Sequence, residues 1–241
     1  MAEGPELAAR LVRLEADNTR LRRLLDEAGA PDGLRHGLRD TMAMLRAVLR
    51  LSAETADSVE SYATHLEGRL DAIARVRVTA DTFGEVNLHT LISDELMIHL
   101  IREGEQAALD GPAVRLRPKA AQLVALAVHE LCSNAVEHGA FGLAQGGVEV
   151  RWSVAGAGAG APPAEILTLG WKETGGSGIG PPAGHGFGMQ VLTEMLSYEL
   201  AARVDLAFDA DGLRCTMRFP LTPRVGHTVD DTDLEENGEP A

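Results

Sequence analysis

A polar stripe runs along one face of the helical segment VHELCSNAVEHGAF, residues 128–141. At about 100° of rotation per residue, Asn134 lies about 40° round from Glu130, Glu137 about 20° the other way, and His138 about 80° round. A carboxylate and an amide oxygen one helical turn apart suit Mg²⁺, which takes a few protein ligands with water and phosphate oxygens. A solvated helix face is the alternative interpretation of the same pattern.

A glycine-rich segment, GHGFGMQVL at residues 184–192, precedes a predicted helix. Gly184, Gly186 and Gly188 alternate with His185 and Phe187. Backbone amides of such a loop can approach a phosphate at the positive end of the helix dipole. Plain turns use the same residues, so the segment alone indicates nucleotide binding only weakly.

The segment LTLGWKETGG, residues 167–176, is predicted to be a strand that ends in Glu173 and continues into glycines, the first of which is Gly175. A carboxylate at the end of a strand can accept a hydrogen bond from the amino group of a nucleotide base. Acidic residues are also ordinary at strand ends.

Two helical segments precede these elements. The first runs from about residue 34 to residue 52, and its apolar residues cluster on one face with His36 almost opposite. The second runs from about residue 58 to residue 78 and has its own apolar stripe. Two antiparallel helices with matching stripes form a helical hairpin, and two hairpins would form a four-helix bundle in a dimer.

The first 30 residues show the spacing of a heptad repeat. Its members are Leu7, Leu11, Leu14, Asn18, Leu21 and Leu25. Asn18 falls on an a position, where one buried polar residue fixes the register and favours a parallel dimer. A coiled coil is therefore expected over residues 1–30, and an amphipathic helix packed on its own domain is the alternative.

The remaining sequence mixes helices and strands. The predicted helices cover residues 87–100, 119–140 and 189–200, and the predicted strands cover residues 113–118, 146–156, 164–173, 202–209 and 213–220. This order indicates an α/β sandwich with helices on one face of a mixed sheet. The chain is thus predicted to be α+β, with the hairpin in residues 31–82 and the sandwich in residues 83–222.

Composition excludes some classes of partner. The 241 residues are 45% hydrophobic and have a formal net charge of −14, which argues against nucleic acid or an anionic membrane as the main partner. Residues 223–241 are predicted to be a disordered acidic tail. Cys132 and Cys215 lack metal-ligand spacing and are expected to be buried free thiols. With no signal peptide or membrane span in the sequence, we expect a cytoplasmic protein.

These motifs, in this order, resemble the ATP-binding domain of histidine kinases, a Bergerat-type fold shared with gyrase. The resemblance is closer to the HWE subgroup, named for a histidine in the asparagine-containing helix and a Trp-x-Glu on a later strand. Here His129 stands in HEL, and Trp171 and Glu173 stand in WKE. The segments HELCSNAVEHGAF, GFGMQVL and LRCTMRFP fit as well, and EGRLDAIARV (67–76) resembles the second hairpin helix. The resemblance covers roughly residues 34–221.

The resemblance implies ATP and Mg²⁺ as cofactors and a phosphoacceptor histidine early in the hairpin, which here is His36 in HGLRD. Asn134 would hold Mg²⁺, with Glu130 as a second ligand or as the residue that orients or activates through a nearby water. Glu173 would contact adenine, while Gly186 and Gly188 would lie along the phosphates. Gly175, Gly184 and Phe187 belong to the same nucleotide-binding segments.

Five positions depart from the pattern of the subgroup. Gly37 and Asp40 replace an arginine and an asparagine after the acceptor histidine, and Arg77 stands where the second hairpin helix often has a histidine. Glu137 and His138 stand where a Lys-Tyr pair is frequent. An anion in place of a cation near a triphosphate should weaken ATP binding.

The sequence therefore predicts a homodimeric sensor histidine kinase that phosphorylates His36 and passes the phosphoryl group to an aspartate on the receiver domain of a response regulator. The coiled coil and the hairpin would form the dimer. A histidine phosphotransfer or scaffold protein with a degenerate ATPase-like domain is the alternative. A protein-serine kinase of the anti-sigma type shares the ATP domain but lacks the hairpin, and it ranks last.

Overall fold

The computed structural model describes residues 16, 19–20, 23–24, 32–56, 58–143, 145–156, 165–175 and 186–229. The chain divides into two compact units, Met1–Ala47 and Val48–Ala241. All six heptad residues of the predicted coiled coil lie outside the described residues, as does the acidic run after residue 229. Within the described part of the chain, no helix is both long and apolar enough to cross a membrane.

Two long helices stand where the sequence predicts the hairpin. Helix α1 spans Asp32–Thr55, and helix α2 spans Val59–Phe83. His36 lies in α1, and the structure describes its backbone but not its side chain. The Ser58 side chain caps α2 by accepting a hydrogen bond from the backbone amide of Ser61 at 3.1 Å, as polar residues at helix N-termini commonly do. Both helices extend beyond their predicted ends.

Eight strands form two sheets. In chain order they are β1 (Val86–Asn87), β2 (Ala107–Asp110), β3 (Val114–Leu116), β4 (Gly147–Gly156), β5 (Glu165–Thr174), β6 (Arg203–Asp209), β7 (Gly212–Leu221) and β8 (Gly226–Thr228). The larger sheet has the order β2-β4-β5-β7-β6, with β2 parallel to β4 and the other pairs antiparallel. The smaller sheet has the order β1-β3-β8 and is antiparallel. A mixed sheet is thus present, as predicted.

The helices of the sandwich come from three parts of the chain. They are α3 (Leu88–Ile98), α4 (Pro118–Glu137), α5 (Phe187–Gln190) and α6 (Leu196–Leu200), with a π-helical turn (Val191–Met195) between the last two. Helix α4 is buried along most of its length. The alternating pattern of β5 turns Leu167, Leu169, Trp171 and Glu173 into the core, because successive side chains of a strand point to opposite faces.

The sequence patterns missed three short strands and one boundary. Strands β1 and β2 are too short to show a clear alternation, and β8 becomes a strand by pairing with β3. Gly226 sits so close to the carbonyl of Arg115 that a Cβ would collide with it. The predicted start of the acidic tail at residue 223 is therefore too early, because the small sheet includes residues 226–228.

Helix α2 packs directly against α4 at Gly68. A Cβ at Gly68 would lie 2.8 Å from Nε2 of His129 and 3.0 Å from its Cε1. The imidazole of His129 is itself buried, with 7% of the residue exposed. A glycine in the middle of this helix, which helical propensity disfavours, thus permits a close helix–helix approach.

We expect Gly68→Ala to lower the free energy of unfolding by about 1–3 kcal/mol, because the added methyl group must displace a buried ring. In a His129→Ala background the same substitution should be neutral or stabilising by up to about 1 kcal/mol, because alanine favours a helix more than glycine does. Urea unfolding of the four proteins in a double-mutant cycle measures both values. An equal cost in the two backgrounds would contradict the contact.

Candidate functional site

A cleft of about 980 Å³ opens beside α4, within the range of small-molecule sites. Residues of α1, α2, α4, β5, α5, the π-helical turn, β6 and β7 line it. Its polar and charged lining consists of Ser52, Glu54, Thr55, Ser61, Tyr62, His65, Arg69, Glu130, Ser133, Asn134, Glu137, His138 and Glu173. Every member of the polar stripe on α4 therefore reaches one cleft, as the helical spacing predicts.

The stripe runs from a buried end to an exposed end. Glu130 is 5% exposed, whereas Asn134, Glu137 and His138 are exposed. The Glu137 carboxylate lies 3.9 Å from Nδ1 of His65 and 3.8 Å from Nε2 of His138. The anion that replaces the expected cation thus sits between two imidazoles at the mouth of the cleft.

Glu130 forms a buried ion pair with Arg69 of α2. Nε of Arg69 donates to Oε1 of Glu130 at 2.8 Å, and Nη2 donates to Oε2 at 3.1 Å. Nη1 donates to Oγ of Ser52 on α1 at 3.0 Å. The two charged side chains are 8% and 7% exposed, and such bidentate pairs combine strength with fixed geometry. Each carboxylate oxygen keeps a further lone pair that can accept a hydrogen bond from water.

The glycine-rich segment meets α4 at the same place. The guanidinium of Arg69 stacks on the ring of Phe187 at 3.6 Å from its centroid, a cation–π geometry. A Cβ at Gly188 would lie 3.2 Å from Oε2 of Glu130 and 3.3 Å from Nδ2 of Asn134. The structure therefore brings together four of the predicted site residues and adds Arg69 to them.

The other predicted glycines have different positions. Gly186 lines the cleft, and a Cβ there would meet no atom within 4 Å. Gly184 lies outside the described residues. Gly175 is not part of the cleft lining; its φ of 86° and the approach of Gln145 O to 2.7 Å from a Cβ position explain the glycine structurally.

Glu173 is buried at the inner wall of the cleft, with 2% of the residue exposed. Its Oε2 accepts a hydrogen bond from the amide of Ala140 at 3.1 Å, and its Oε1 accepts one from Nε1 of Trp171 at 3.3 Å. Burial raises the pKa of the Glu173 carboxyl, and these hydrogen bonds offset part of that effect. Trp171, which is itself buried in the core, thus also positions this carboxylate.

His129 belongs to a separate buried cluster. Nη2 of Arg75 on α2 donates to Oε1 of Glu95 on α3 at 2.7 Å, and Nδ1 of His129 lies 3.4 Å from Oε2 of Glu95. Beside them, burial and the charge of His129 lower the pKa of His99. The cluster joins α2, α3 and α4, and its residues do not line the cleft. His129 therefore contacts the charge cluster between these helices and not the cleft.

The donor set of the cleft fits a magnesium ion that arrives with a nucleotide. In the described part of the chain, no group of three or more His, Cys, Asp or Glu side chains is arranged to hold a metal. Mg²⁺ usually binds through one or two protein ligands together with substrate phosphates and water. Asn134, exposed at the cleft, and Glu130, one turn deeper, offer such an incomplete set.

The sequence of this chain is similar to those of several histidine kinases. Residues 33–113 match the family model described as HWE histidine kinase. A blue-light-activated histidine kinase of Rhizobium johnstonii is 28% identical over 210 residues, which cover 86% of this chain and 56% of that protein. Blue-light-activated histidine kinase 1 of Erythrobacter litoralis is 27% identical over 197 residues, covering 78% and 52%. The chain spans about half the length of these curated relatives.

Solved structures show the same fold. The blue-light activated histidine kinase EL346 of Erythrobacter litoralis superposes with a TM-score of 0.55 at 16% identity, over 80% of this chain and 61% of that one. Its histidine kinase domain gives a TM-score of 0.50 at 18% identity, over 87% and 96%. At these identities the likeness establishes the fold of the sandwich and of the helices before it.

Because the pKa of Glu173 is raised in the folded protein, the free energy of unfolding depends on pH. The folded protein binds this proton more tightly than the unfolded chain, so the contribution of Glu173 is largest at low pH and falls as the pH rises through the raised pKa. We expect the free energy of unfolding of the wild type, minus that of Glu173→Gln, to decrease over the pH range that begins at the ordinary pKa of a glutamate and extends through the raised pKa. Urea titrations at several pH values test this.

Glu165→Gln, at the exposed first residue of the same strand, is the matched control and should give a difference that is nearly independent of pH over the upper part of this range. If the Glu173→Gln difference were equally flat, the carboxyl of Glu173 would not have a raised pKa in the folded protein.

Proposed function

We propose that the chain acts as an HWE histidine kinase, the family whose model matches residues 33–113, and that it binds Mg-ATP and phosphorylates His36. The observation that supports this most is the close approach of the glycine-rich segment to α4, where an added Cβ at Gly188 would lie within 3.3 Å of the side chains of Glu130 and Asn134 at one cleft. The cleft is large enough for a nucleotide.

Three polar residues and two glycines of the cleft have roles in this proposal. The amide oxygen of Asn134 holds Mg²⁺, which neutralises phosphate charge when bound, and Glu130 orients a nearby water or serves as a second ligand. Glu173 forms the adenine end of the cleft. Gly186 and Gly188 allow the backbone to lie along the phosphates. Such a site acts by positioning and by electrostatic stabilisation.

In the reaction, a ring nitrogen of His36 forms a bond to the γ-phosphorus as the bond from that phosphorus to the β–γ bridging oxygen breaks. ADP leaves, and the imidazole gives up one proton. The phosphoryl group then passes to an aspartate on a receiver domain of a response regulator. We also propose that the protein dimerises through the coiled coil and the hairpin. Histidine kinase activity is likewise proposed for the whole protein.

One observation favours the alternative of a phosphotransfer or scaffold protein. Four carboxylates line the cleft, those of Glu54, Glu130, Glu137 and Glu173, and they would repel a triphosphate. Nucleotide binding separates the two functions, because a scaffold with a degenerate site would bind no ATP.

We expect the purified protein to acquire an acid-labile, base-stable label from radiolabelled ATP with Mg²⁺, and we expect the label to vanish in His36→Ala. His65→Ala is the matched control, since His65 is also a hairpin histidine and lines the cleft; it should keep the label. Asn134→Ala should reduce labelling at least about tenfold, because removing a magnesium ligand costs 1.4 kcal/mol or more.

Three results would change the proposal. Loss of the label in His65→Ala and its survival in His36→Ala would move the acceptor to α2. Acid-stable label would indicate a serine or threonine product. Absence of both label and ATP binding in the wild type would favour the phosphotransfer or scaffold function.

A further inference from the structure

The cleft assigned to ATP has an imbalance of charge. Its described lining includes four carboxylates but only one arginine or lysine, which is Arg69. Residues 176–192, which include the glycine-rich segment and the residues before it, contain no lysine or arginine. Glu137 stands where related kinases often have a lysine. A polyphosphate in this cleft therefore requires a cation besides Mg²⁺, and the sequence around α4 does not supply one.

Arg69 has the position and the chemistry to be that cation. Its guanidinium is hydrogen-bonded to the carboxylate of Glu130 and stacked on the ring of Phe187, and Gly188 approaches the same carboxylate. The hydrogen bonds to Glu130 and Ser52 use three of the five N–H donors of a guanidinium. Arginine suits phosphate because its planar donors match two oxygens at once.

We infer that Arg69 contacts the phosphates of bound ATP, so that the hairpin supplies the cation that the ATP domain lacks. The inference rests on the function proposed above and names a residue that binds the nucleotide. The pair with Glu130 holds the guanidinium at the wall of the cleft, and Phe187 limits its movement. The nucleotide site is then complete only while α2 is packed against α4.

This arrangement has a consequence for regulation. A shift of α2 along or away from α4 withdraws Arg69 and leaves Glu130 as an unpaired carboxylate beside the phosphates. Both changes weaken the binding of a polyanion and neither affects the adenine end of the cleft at Glu173. Movement of the hairpin would therefore change affinity for ATP more than affinity for a nucleotide with one phosphate.

The experiment compares affinities for Mg-ATP and for AMP, measured by titration calorimetry, in the wild type and in Arg69→Gln. We expect Arg69→Gln to weaken ATP binding roughly 10- to 100-fold, the loss of one charge-assisted contact, and to weaken AMP binding several-fold less. Arg77→Gln is the matched control. It makes the same change of charge on the same helix at a residue outside the cleft lining, and it should leave the ratio of the two affinities unchanged.

A second pair of variants excludes a trivial loss of folding. Arg69→Gln alone leaves a buried carboxylate without its partner, which is strongly destabilising. Glu130→Gln and the double variant Arg69→Gln/Glu130→Gln lack that charge, and thermal unfolding without nucleotide shows whether each is folded. From Glu130→Gln to the double variant, the ratio of ATP affinity to AMP affinity should decrease by the same factor as from the wild type to Arg69→Gln.

Other outcomes overturn the inference. An equal loss of affinity for ATP and AMP would make Arg69 a residue that only holds the cleft in shape. Unchanged or tighter ATP binding in Arg69→Gln would show that the ion pair between Arg69 and Glu130 does not assist ATP binding or opposes it. Absence of ATP binding in the wild type would remove the proposed function together with the inference, whereas the first two outcomes leave that function standing.

Discussion

The buried ion pair between Arg69 and Glu130 is the contact on which the arrangement of the cleft depends. It joins α2 to α4, and through Ser52 and Phe187 it also fixes the end of α1 and the start of α5. Two charges removed from water are stable only while they remain together; separating such a pair costs about 3–5 kcal/mol. The close approach that the pair requires is possible because the preceding residue, Gly68, has no side chain.

A second ion pair, whose carboxylate is buried and whose arginine is partly exposed, joins the same helix to α3. Arg75 reaches Glu95 on α3, and Glu95 faces the imidazole of His129. The contact between α2 and the sandwich thus contains two charge clusters, separated by the length of the helix between Arg69 and Arg75. Buried ion pairs add little net stability over apolar contacts of the same size, but they penalise every geometry that separates them. An interface of this kind favours one register of α2 against the sandwich.

The spacing of residues within single helices and strands predicted which side chains share one face of an element. The one-turn spacing of Glu130 and Asn134 places both in one cleft, and alternation along β5 turns Glu173 inward with Trp171. Arg69 was not predictable in this way, because an arginine on a hairpin helix is ordinarily solvated and only the tertiary approach at Gly68 buries it. Strand β8 escaped prediction for a related reason, since its residues become a strand only by pairing with β3.

The two buried carboxylates give the cleft opposite electrostatic ends. A guanidinium neutralises Glu130, whereas Glu173 is held by two neutral N–H donors and its burial raises the pKa of its carboxyl. Two like groups thus lie in different surroundings, one beside a cation and the other beside neutral donors. In the proposed function, Glu173 lies at the end of the cleft that takes the heterocycle, and Arg69 lies at the end that takes the phosphates. The two proposals therefore require the same orientation of a nucleoside triphosphate, with its heterocycle toward β5 and its polyanion toward α2.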